Sequence, residues 1–218
     1  MDLLKKGLIS CGIPENLIDE VSGKMDKYIK EIILFNSAYN LTNTSDYDEL
    51  VVRHLLDSLA AYKELFTLSE NFSGQTVVFA DIGSGGGLPG IPLATVFPQF
   101  QFKLVERMSK RCAFLENCAA ILGLKNVEVI NAEAEKVPPE SFDIAVFRAF
   151  RPLDKKMTET LLRLVKKGGY LAAYKAKMEN IKEEMSGIKD LVPDYEVKKL
   201  VVPGLEDSER NLVVIRKD

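Results

Sequence analysis

Short apolar runs alternate with amphipathic segments from about residue 76 onward. Seven runs have the length and side-chain types of strands, at 77–82, 102–105, 127–130, 144–147, 170–174, 197–202 and 212–215. Helical periodicity between them predicts helices at 91–96, 109–122, 154–165 and 179–190. This alternation is typical of βαβ units, so the sequence predicts an α/β fold with a parallel sheet. Because no helix separates the last two strands, we expect them to form an antiparallel hairpin at or near a sheet edge.

The first part of the chain has a different pattern. Apolar residues recur every three or four positions from Leu17 to Phe35 and again from about Asp48 to Leu65. The polar stretch from Asn40 to Asp46 separates these two helical segments and predicts a loop. We therefore expect residues 1–70 to form an N-terminal helical extension packed on a main domain at 71–218.

The composition indicates a protein of ordinary globular type. The 218 residues are 46% hydrophobic, and no apolar run reaches the roughly 18 residues of a membrane span. No segment resembles a signal peptide, so we expect a cytoplasmic protein without a membrane partner. Cys11, Cys112 and Cys118 lack the spacing of metal ligands, which predicts reduced core or helix thiols and no bound metal.

The net charge of −3 argues against broad electrostatic adhesion to nucleic acid. A local basic surface remains compatible with it, since Lys103, Arg107, Lys110 and Arg111 lie close together in the sequence. Solvated surface cations are the alternative interpretation of such a cluster.

A glycine-dense turn follows the first predicted strand, in the sequence DIGSGGGLPGIPLA at 81–94. Gly83, Gly85 and Gly87 lack the Cβ atoms that would keep the backbone away from a ligand, and they permit positive φ angles. A loop of this kind between a strand and a helix is typical of nucleotide-cofactor sites. A tight structural turn is the alternative.

The glycine spacing fits two cofactors. Gly85, Gly87 and Gly90 match the dinucleotide pattern GxGxxG, with Glu106 at the spacing of a ribose-binding acid. However, the strand ends near Asp81, so the glycines nearest the sheet are Gly83 and Gly85. Counted from these two, the third glycine that a dinucleotide-binding helix needs is replaced by Leu88. The pattern Asp81-x-Gly83-x-Gly85 instead resembles the first motif of methyltransferases. That resemblance implies that Asp81 lies near the amino group of S-adenosyl-L-methionine or a water bound to it. It also implies that the glycine amides face the carboxylate and ribose of the cofactor.

Two further segments are candidates for the same pocket. Glu106 ends the second predicted strand, where its carboxylate can accept hydrogen bonds from both ribose hydroxyls. The alternative interpretation of Glu106 is an exposed acid paired with Arg107 or Lys110. Ala134 and Glu135 follow the third strand, where methyltransferases line the adenine; a solvated acidic turn is the alternative there.

Six short motifs, in this order, resemble the small-subunit rRNA methyltransferase G family, also called glucose-inhibited division protein B. They are NLT at 40–42, RHLLDSL at 53–59, DIGSGGGLPGIPLA at 81–94, KRCAFL at 110–115, RAF at 148–150 and ERNLVVI at 209–215. The chain departs from the family pattern at YKAK, 174–177, and at ERN, 209–211.

The resemblance implies a Rossmann-like class I methyltransferase fold, with a seven-stranded sheet whose last strand is antiparallel. It also implies methylation of N7 of one guanine in the decoding-region loop of bacterial 16S ribosomal RNA, as free RNA or in a small-subunit particle. We expect a monomer. The cofactor contacts of the family correspond to Gly83, Leu88, Ala134, Glu135 and Arg148.

The end of the fourth predicted strand is informative about the chemistry. Guanine N7 carries a free lone pair, so its methylation needs alignment rather than a general base. Arg148 is the candidate catalytic residue, because ligands of open α/β sheets bind at the carboxyl ends of the strands. A surface arginine paired with an acid is the alternative. Phe150 is a candidate for stacking on the base or for core packing.

His54 is the only histidine, three residues before Asp57. A core or capping histidine is the default interpretation. The alternative, which follows from the family motif, is a helix that covers the cofactor pocket with Arg53, His54 and Asp57.

Other functions fit part of the pattern. A small-molecule methyltransferase would share the glycine loop, and a nicotinamide-dependent oxidoreductase would use the loop for pyrophosphate. A ribosome-assembly factor would bind RNA without catalysis, although it has no need of the glycine loop or of Glu106.

Overall fold

A single sheet forms the centre of the computed structural model, which describes residues 2–72, 74–148 and 152–218. Its strands in the described part of the chain are β1 Val78–Ile82, β2 Gln101–Glu106, β3 Val127–Asn131, β4 Phe142–Arg148, β5 Val165–Lys175, β6 Glu196–Leu200 and β7 Arg210–Arg216. The order across the sheet is β3-β2-β1-β4-β5-β7-β6. Strands β1 to β5 pair in parallel, whereas β7 runs antiparallel to both β5 and β6. The predicted seven-stranded α/β sheet and its antiparallel hairpin are confirmed.

Helices precede the sheet and connect its strands. They are α1 Leu3–Ser10, α2 Ile18–Tyr39, α3 Tyr47–Leu50, α4 Asp57–Leu59, α5 Tyr62–Ser69, α6 Gly90–Val96, α7 Ser109–Leu122, α8 Lys155–Leu164 and α9 Met178–Gly187. Short 3-10 turns lie at Glu15–Leu17, Glu70–Phe72 and Ala134–Lys136, and a π-helical segment spans Val51–Leu56. The second N-terminal segment, predicted from one continuous periodicity, is therefore divided into four short elements.

Local sequence signals account for several helix ends. The side chain of Asp154 accepts a hydrogen bond from the Met157 amide and caps the start of α8. Gly123 ends α7 with a φ of +65°, a left-handed conformation that glycine adopts without a steric penalty. The predicted bounds of α7 are correct because both its apolar periodicity and this stop signal agree.

Side chains of successive strand residues point to opposite faces of the sheet and enter two separate cores. In β1, Phe79 belongs to the core that the N-terminal helices, α6 and α7 cover, whereas Ala80 belongs to the core beneath α8 and α9. Both cores are made of fully buried aliphatic and aromatic side chains. The sheet is therefore covered on both faces, and its carboxyl edge remains as the place for a ligand.

The N-terminal region and the main domain share the first of these cores. The ring of Tyr62 stacks on Phe97 with centroids 4.8 Å apart, and Phe97 in turn stacks on Phe79 at 6.1 Å. This aromatic column joins α5 to β1 through the end of α6. The division into 1–70 and 71–218 stays a prediction.

The three cysteines are buried free thiols. Burial raises the pKa of Cys11 to about 12, so its thiol is not ionised at neutral pH. Within 2–72, 74–148 and 152–218, no helix is long and apolar enough to cross a bilayer.

Candidate active site

Two neighbouring cavities lie at the carboxyl edge of the sheet. The first, of about 550 Å³, is formed at the ends of β1, β2 and β3. The second, of about 330 Å³, lies at the ends of β4 and β5 and at the start of β7. Because β1 and β4 are paired, the two cavities are adjacent. This edge is where open α/β sheets bind their ligands.

The glycine loop begins at the first cavity, which Gly83 lines. Its φ angles are positive at Gly83 (+74°), Gly85 (+57°) and Gly87 (+90°). The amides of Gly83 and Ser84 donate to the Val105 carbonyl, at 2.9 and 3.1 Å, which ties the loop to β2. A Cβ at Gly87 would collide with neighbouring side chains at 2.6 to 2.9 Å, whereas one at Gly85 would meet nothing closer than 3.8 Å. Gly87 is thus needed for packing, and Gly85 leaves space beside the cavity.

Glu106 lines the first cavity, and its carboxylate is held by the backbone. The Gly85 amide donates to Oε2 at 3.0 Å, and the Met108 amide donates to Oε1 at 2.8 Å. Glu106 is buried rather than an exposed acid paired with a neighbouring cation. Each oxygen retains a second acceptor position, so the carboxylate can still accept hydrogen bonds from a ligand diol.

Ala134 and Glu135 line the opposite side of this cavity. The Arg163 guanidinium donates to both of their carbonyl oxygens at 3.1 Å and so fixes the segment. Met108 and Met157 also line the cavity. Neither methionine was predicted from the sequence. The position of Met108, two residues after Glu106, is the signal that could have identified it.

Asp81 and Leu88 lie behind the glycine loop rather than among the residues that line the first cavity. The Asp81 side chain is 1% exposed and accepts a hydrogen bond from the Gly90 amide at 2.9 Å. Burial raises the pKa of Asp81 to about 6, although the Gly90 amide and the charge of Arg148 act in the opposite direction. Leu88 packs in the core on the N-terminal side. Their roles in cofactor binding stay predictions.

Arg148 lines the second cavity and is anchored to the N-terminal region. Its Nη1 donates to Asp57 Oδ2 at 2.7 Å and to the Arg53 and His54 carbonyls at 3.3 Å. Its Nη2 lies 3.3 Å from His54 Nδ1. Arg148 is thus paired with an acid, as the alternative interpretation expected. It is not a surface arginine, however, because its side chain is only 13% exposed.

Asp57 joins two arginines across the second cavity. Its Oδ1 accepts a hydrogen bond from Nε of Arg210 at 3.0 Å, while Oδ2 binds Arg148. Two cations thus share one buried carboxylate. Nothing in the sequence pattern indicated that Arg148 and Arg210 share a partner.

His54 and Asp57 both contact Arg148, whereas the side chain of Arg53 lies at the surface, 3.9 Å from Glu49. Burial, with a further contribution from Arg148, lowers the pKa of His54 to about 4. The imidazole is therefore neutral at physiological pH. Its Nε2 is buried and has no hydrogen-bond partner within the described residues. Phe150, the candidate stacking residue, lies outside the described residues.

The departures from the family pattern also lie at the second cavity. Lys175 of YKAK is bound to Glu184 of α9 at 2.6 Å. Asn211 of ERN donates to the Ala176 carbonyl at 2.6 Å. Both segments are thus held by partners within the chain.

Sequence comparisons link the chain to one family. The family described as rRNA small subunit methyltransferase G matches residues 22–213. A protein of Treponema denticola named ribosomal RNA small subunit methyltransferase G is 40% identical over 239 residues, covering 99% of this chain and 94% of that protein. A protein of the same name from Neisseria meningitidis serogroup B is 35% identical, covering 98% and 97%.

Solved structures share the fold at low sequence identity. A tRNA (m1A58) methyltransferase of Aquifex aeolicus has a TM-score of 0.56 at 16% identity, covering 87% of this chain and 76% of that one. A SAM-dependent methyltransferase from the same organism has a TM-score of 0.54 at 21% identity, covering 78% and 93%. These likenesses indicate a class I methyltransferase fold.

Proposed function

The chain belongs to the rRNA small subunit methyltransferase G family, and we propose that it methylates N7 of a guanine in small-subunit ribosomal RNA. It is an S-adenosylmethionine-dependent rRNA methyltransferase. The proposal of guanine N7 methylation rests on the two neighbouring cavities, the second of which is lined by Arg148. One cavity suits the cofactor, and its neighbour is open to a base.

The residues around the first cavity fit the cofactor. Its volume of about 550 Å³ is in the usual range for small-molecule sites, roughly 300–1,000 Å³. Glu106 offers acceptors to the ribose hydroxyls, and Ala134 provides an apolar surface for the adenine. The open space at Gly85 lets the backbone approach the ligand. When bound, S-adenosylmethionine supplies an electrophilic methyl group on its sulfonium.

The protein's part in the transfer is to orient the base and exclude water. N7 of guanine carries its own lone pair, so no side chain has to remove a proton from it. The environment agrees with this, because the single histidine is held against Arg148 and kept neutral by burial. Arg148 instead offers fixed donors in the second cavity, suited to holding the base in line with the methyl group.

The remaining alternatives lose support. A nicotinamide enzyme would need a third loop glycine, and Leu88 occupies that position in a packed core. A small-molecule methyltransferase is disfavoured by relatives of nearly equal length that are named as rRNA methyltransferases. A non-catalytic assembly factor has no use for the buried Glu106 carboxylate at the first cavity.

The test is methyl transfer from labelled S-adenosylmethionine to small-subunit RNA, offered both free and in assembled particles. We expect label in one guanine, mapped by the chain scission that N7 methylation permits. Calorimetric titration with S-adenosylmethionine and with NADH provides the cofactor control. Label at a different base atom would contradict the N7 assignment, and binding of NADH alone would contradict the reaction class.

A further inference from the structure

The second cavity is lined by both apolar and charged side chains. Phe147, Pro152 and Leu200 contribute apolar surface, while Arg148, Lys175 and Glu184 contribute charge. Its volume of about 330 Å³ is smaller than that of the first cavity and of the size that accepts a single planar group.

Glu184 is a carboxylate of this cavity whose two described hydrogen bonds both go to the same oxygen. It lies on α9 and its side chain is 18% exposed. Its Oε2 accepts from Lys175 Nζ at 2.6 Å and from the Leu153 amide at 3.0 Å. Its Oε1 has no hydrogen-bond partner among the residues that the structure describes. The bonds to Oε2 fix the carboxylate, and Oε1 is left to bind a donor.

Each of the three cations among the described lining residues is paired with a carboxylate, although Arg148 and Arg210 share one. Asp57 binds both Arg148 and Arg210, and Glu184 binds Lys175. Such pairing weakens the attraction for a phosphate group, because a second anion would have to compete with a fixed carboxylate. A neutral ring that carries hydrogen-bond donors is the better occupant.

Guanine has hydrogen-bond donors on the edge that lies away from N7. Its Watson–Crick edge carries N1–H and the N2 amino group, whereas adenine presents an acceptor at N1. This edge is on the far side of the ring from N7. A guanine with N7 and O6 towards Arg148 and the first cavity therefore directs its donors away from β1, towards β5 and α9. Lys175 of β5 and Glu184 of α9 lie on that side.

We propose that the second cavity is the pocket for the target base and that Glu184 selects guanine by accepting hydrogen bonds from its Watson–Crick edge. This inference rests on the proposed function and adds the residue that determines the base specificity. Glu184 contacts the substrate but takes no part in the transfer of the methyl group.

The test compares guanine with inosine, which lacks only the N2 amino group, at the methylated position of otherwise identical small-subunit RNA. A hydrogen bond to a charged group predicts that the wild-type protein prefers guanine by about tenfold in kcat/KM. Glu184→Gln keeps an acceptor for the Leu153 amide but replaces the other oxygen with a donor. In this variant we expect a lower rate on guanine and a preference that shrinks to within about twofold.

Glu183→Gln is the matched control, since it makes the same charge change one residue away at an exposed position. It should keep the wild-type preference, and both variants should bind S-adenosylmethionine with unchanged affinity. A Glu184→Gln protein that is slower on both RNAs yet still prefers guanine has only a structural defect, and that result would overturn the proposal.

The wild-type protein provides a second measurement that needs no variant. Equal rates on guanine and inosine would also overturn the proposal, whatever the behaviour of Glu184→Gln. These results differ from a failure of the proposed function, in which wild-type protein would not methylate N7 of guanine in small-subunit RNA at all.

Discussion

Arg148 is held by four groups of the N-terminal region, the Asp57 carboxylate, the His54 ring and two main-chain carbonyls. This number of partners leaves the guanidinium with little rotational freedom. A donor that is already oriented loses less entropy when a ligand binds. The same contacts explain why the neutral state of His54 matters, because a protonated imidazole would repel Arg148.

We predict that Arg148→Ala lowers the rate of rRNA methylation by about a hundredfold, since a misplacement of about 1 Å can have that effect. The loss of its hydrogen bonds should reduce the free energy of unfolding by on the order of 1–3 kcal/mol without preventing folding. Methyl incorporation under single-turnover conditions measures the rate, and thermal unfolding measures stability. Arg216→Ala, at an exposed position of β7, is the control. A wild-type rate in Arg148→Ala would remove this residue from the site.

Asp81 predicts a pH dependence of cofactor binding. Burial raises the pKa of its carboxyl group to about 6, so the group is ionised at neutral pH and becomes neutral below about pH 6. If its charge attracts the cofactor's ammonium group, affinity for S-adenosylmethionine should fall as the pH decreases through 6, by up to about tenfold per pH unit. The pKa of His54, at about 4, lies below this range.

Calorimetric titrations between about pH 7 and pH 5 provide the measurement for Asp81. Asp81→Asn should bind the cofactor more weakly at neutral pH and show a flat profile. The same profile in the wild-type and Asn proteins would mean that Asp81 serves only to hold the Gly90 amide.

At the scale of elements, the sequence predicted the strands and helices that depend on residues close together in the chain. The strands were found from β-branched and apolar runs, and α7 from a periodicity that ends at Gly123. The π-helical segment Val51–Leu56 and the breaks around it were not predicted, because its apolar stripe also fits one regular helix. Its shape depends on long-range contacts, such as the Arg148 guanidinium on the carbonyls of Arg53 and His54.

The candidate site shows the same division. Gly83, Glu106, Ala134 and Glu135 were predicted from the sequence and lie around one cavity, because each ends a strand or follows one within four residues at the same edge of the sheet. The pairing of Asp57 with Arg148 and Arg210 spans 91 and 153 positions of the chain. No local pattern encodes such contacts, and only the packing of α4 against the sheet edge brings them together.

The glycine loop gives an element-scale prediction. In Gly85→Val, the side chain would enter the open space beside the first cavity, and we expect no detectable binding of S-adenosylmethionine in a folded protein. A valine at a φ of +57° also strains the backbone, which costs about 1–2 kcal/mol of stability. Gly123→Val is the matched control, since its φ is +65° and nothing lies within 4 Å of the added Cβ.

Calorimetric titration and thermal unfolding separate the two effects. Both variants should lose similar stability, but Gly123→Val should bind the cofactor normally because it lies at the end of α7. Normal affinity in folded Gly85→Val would show that the space at Gly85 is not used by the ligand.

At the scale of the whole molecule, the N-terminal region supports the glycine loop directly. The Tyr28 hydroxyl of α2 donates to the Gly86 carbonyl, and the Leu41 side chain lies against Gly86. From the main domain, Arg111 of α7 donates to the Asn40 carbonyl at 3.0 Å. The loop that forms the first cavity is thus held between β2 and the N-terminal helices.

These contacts predict that residues 1–70 and 71–218 unfold as one cooperative unit. Removing the first region would expose Phe97 and the other core residues on that face of the sheet, so a 71–218 fragment should not give a cooperative transition. In calorimetry of the full chain we expect one transition whose van't Hoff and calorimetric enthalpies agree. Saturating S-adenosylmethionine should raise the midpoint of that single transition, because only the folded state binds it. Two separate transitions, with only one of them shifted by the cofactor, would mean that the N-terminal helices fold independently of the loop they contact.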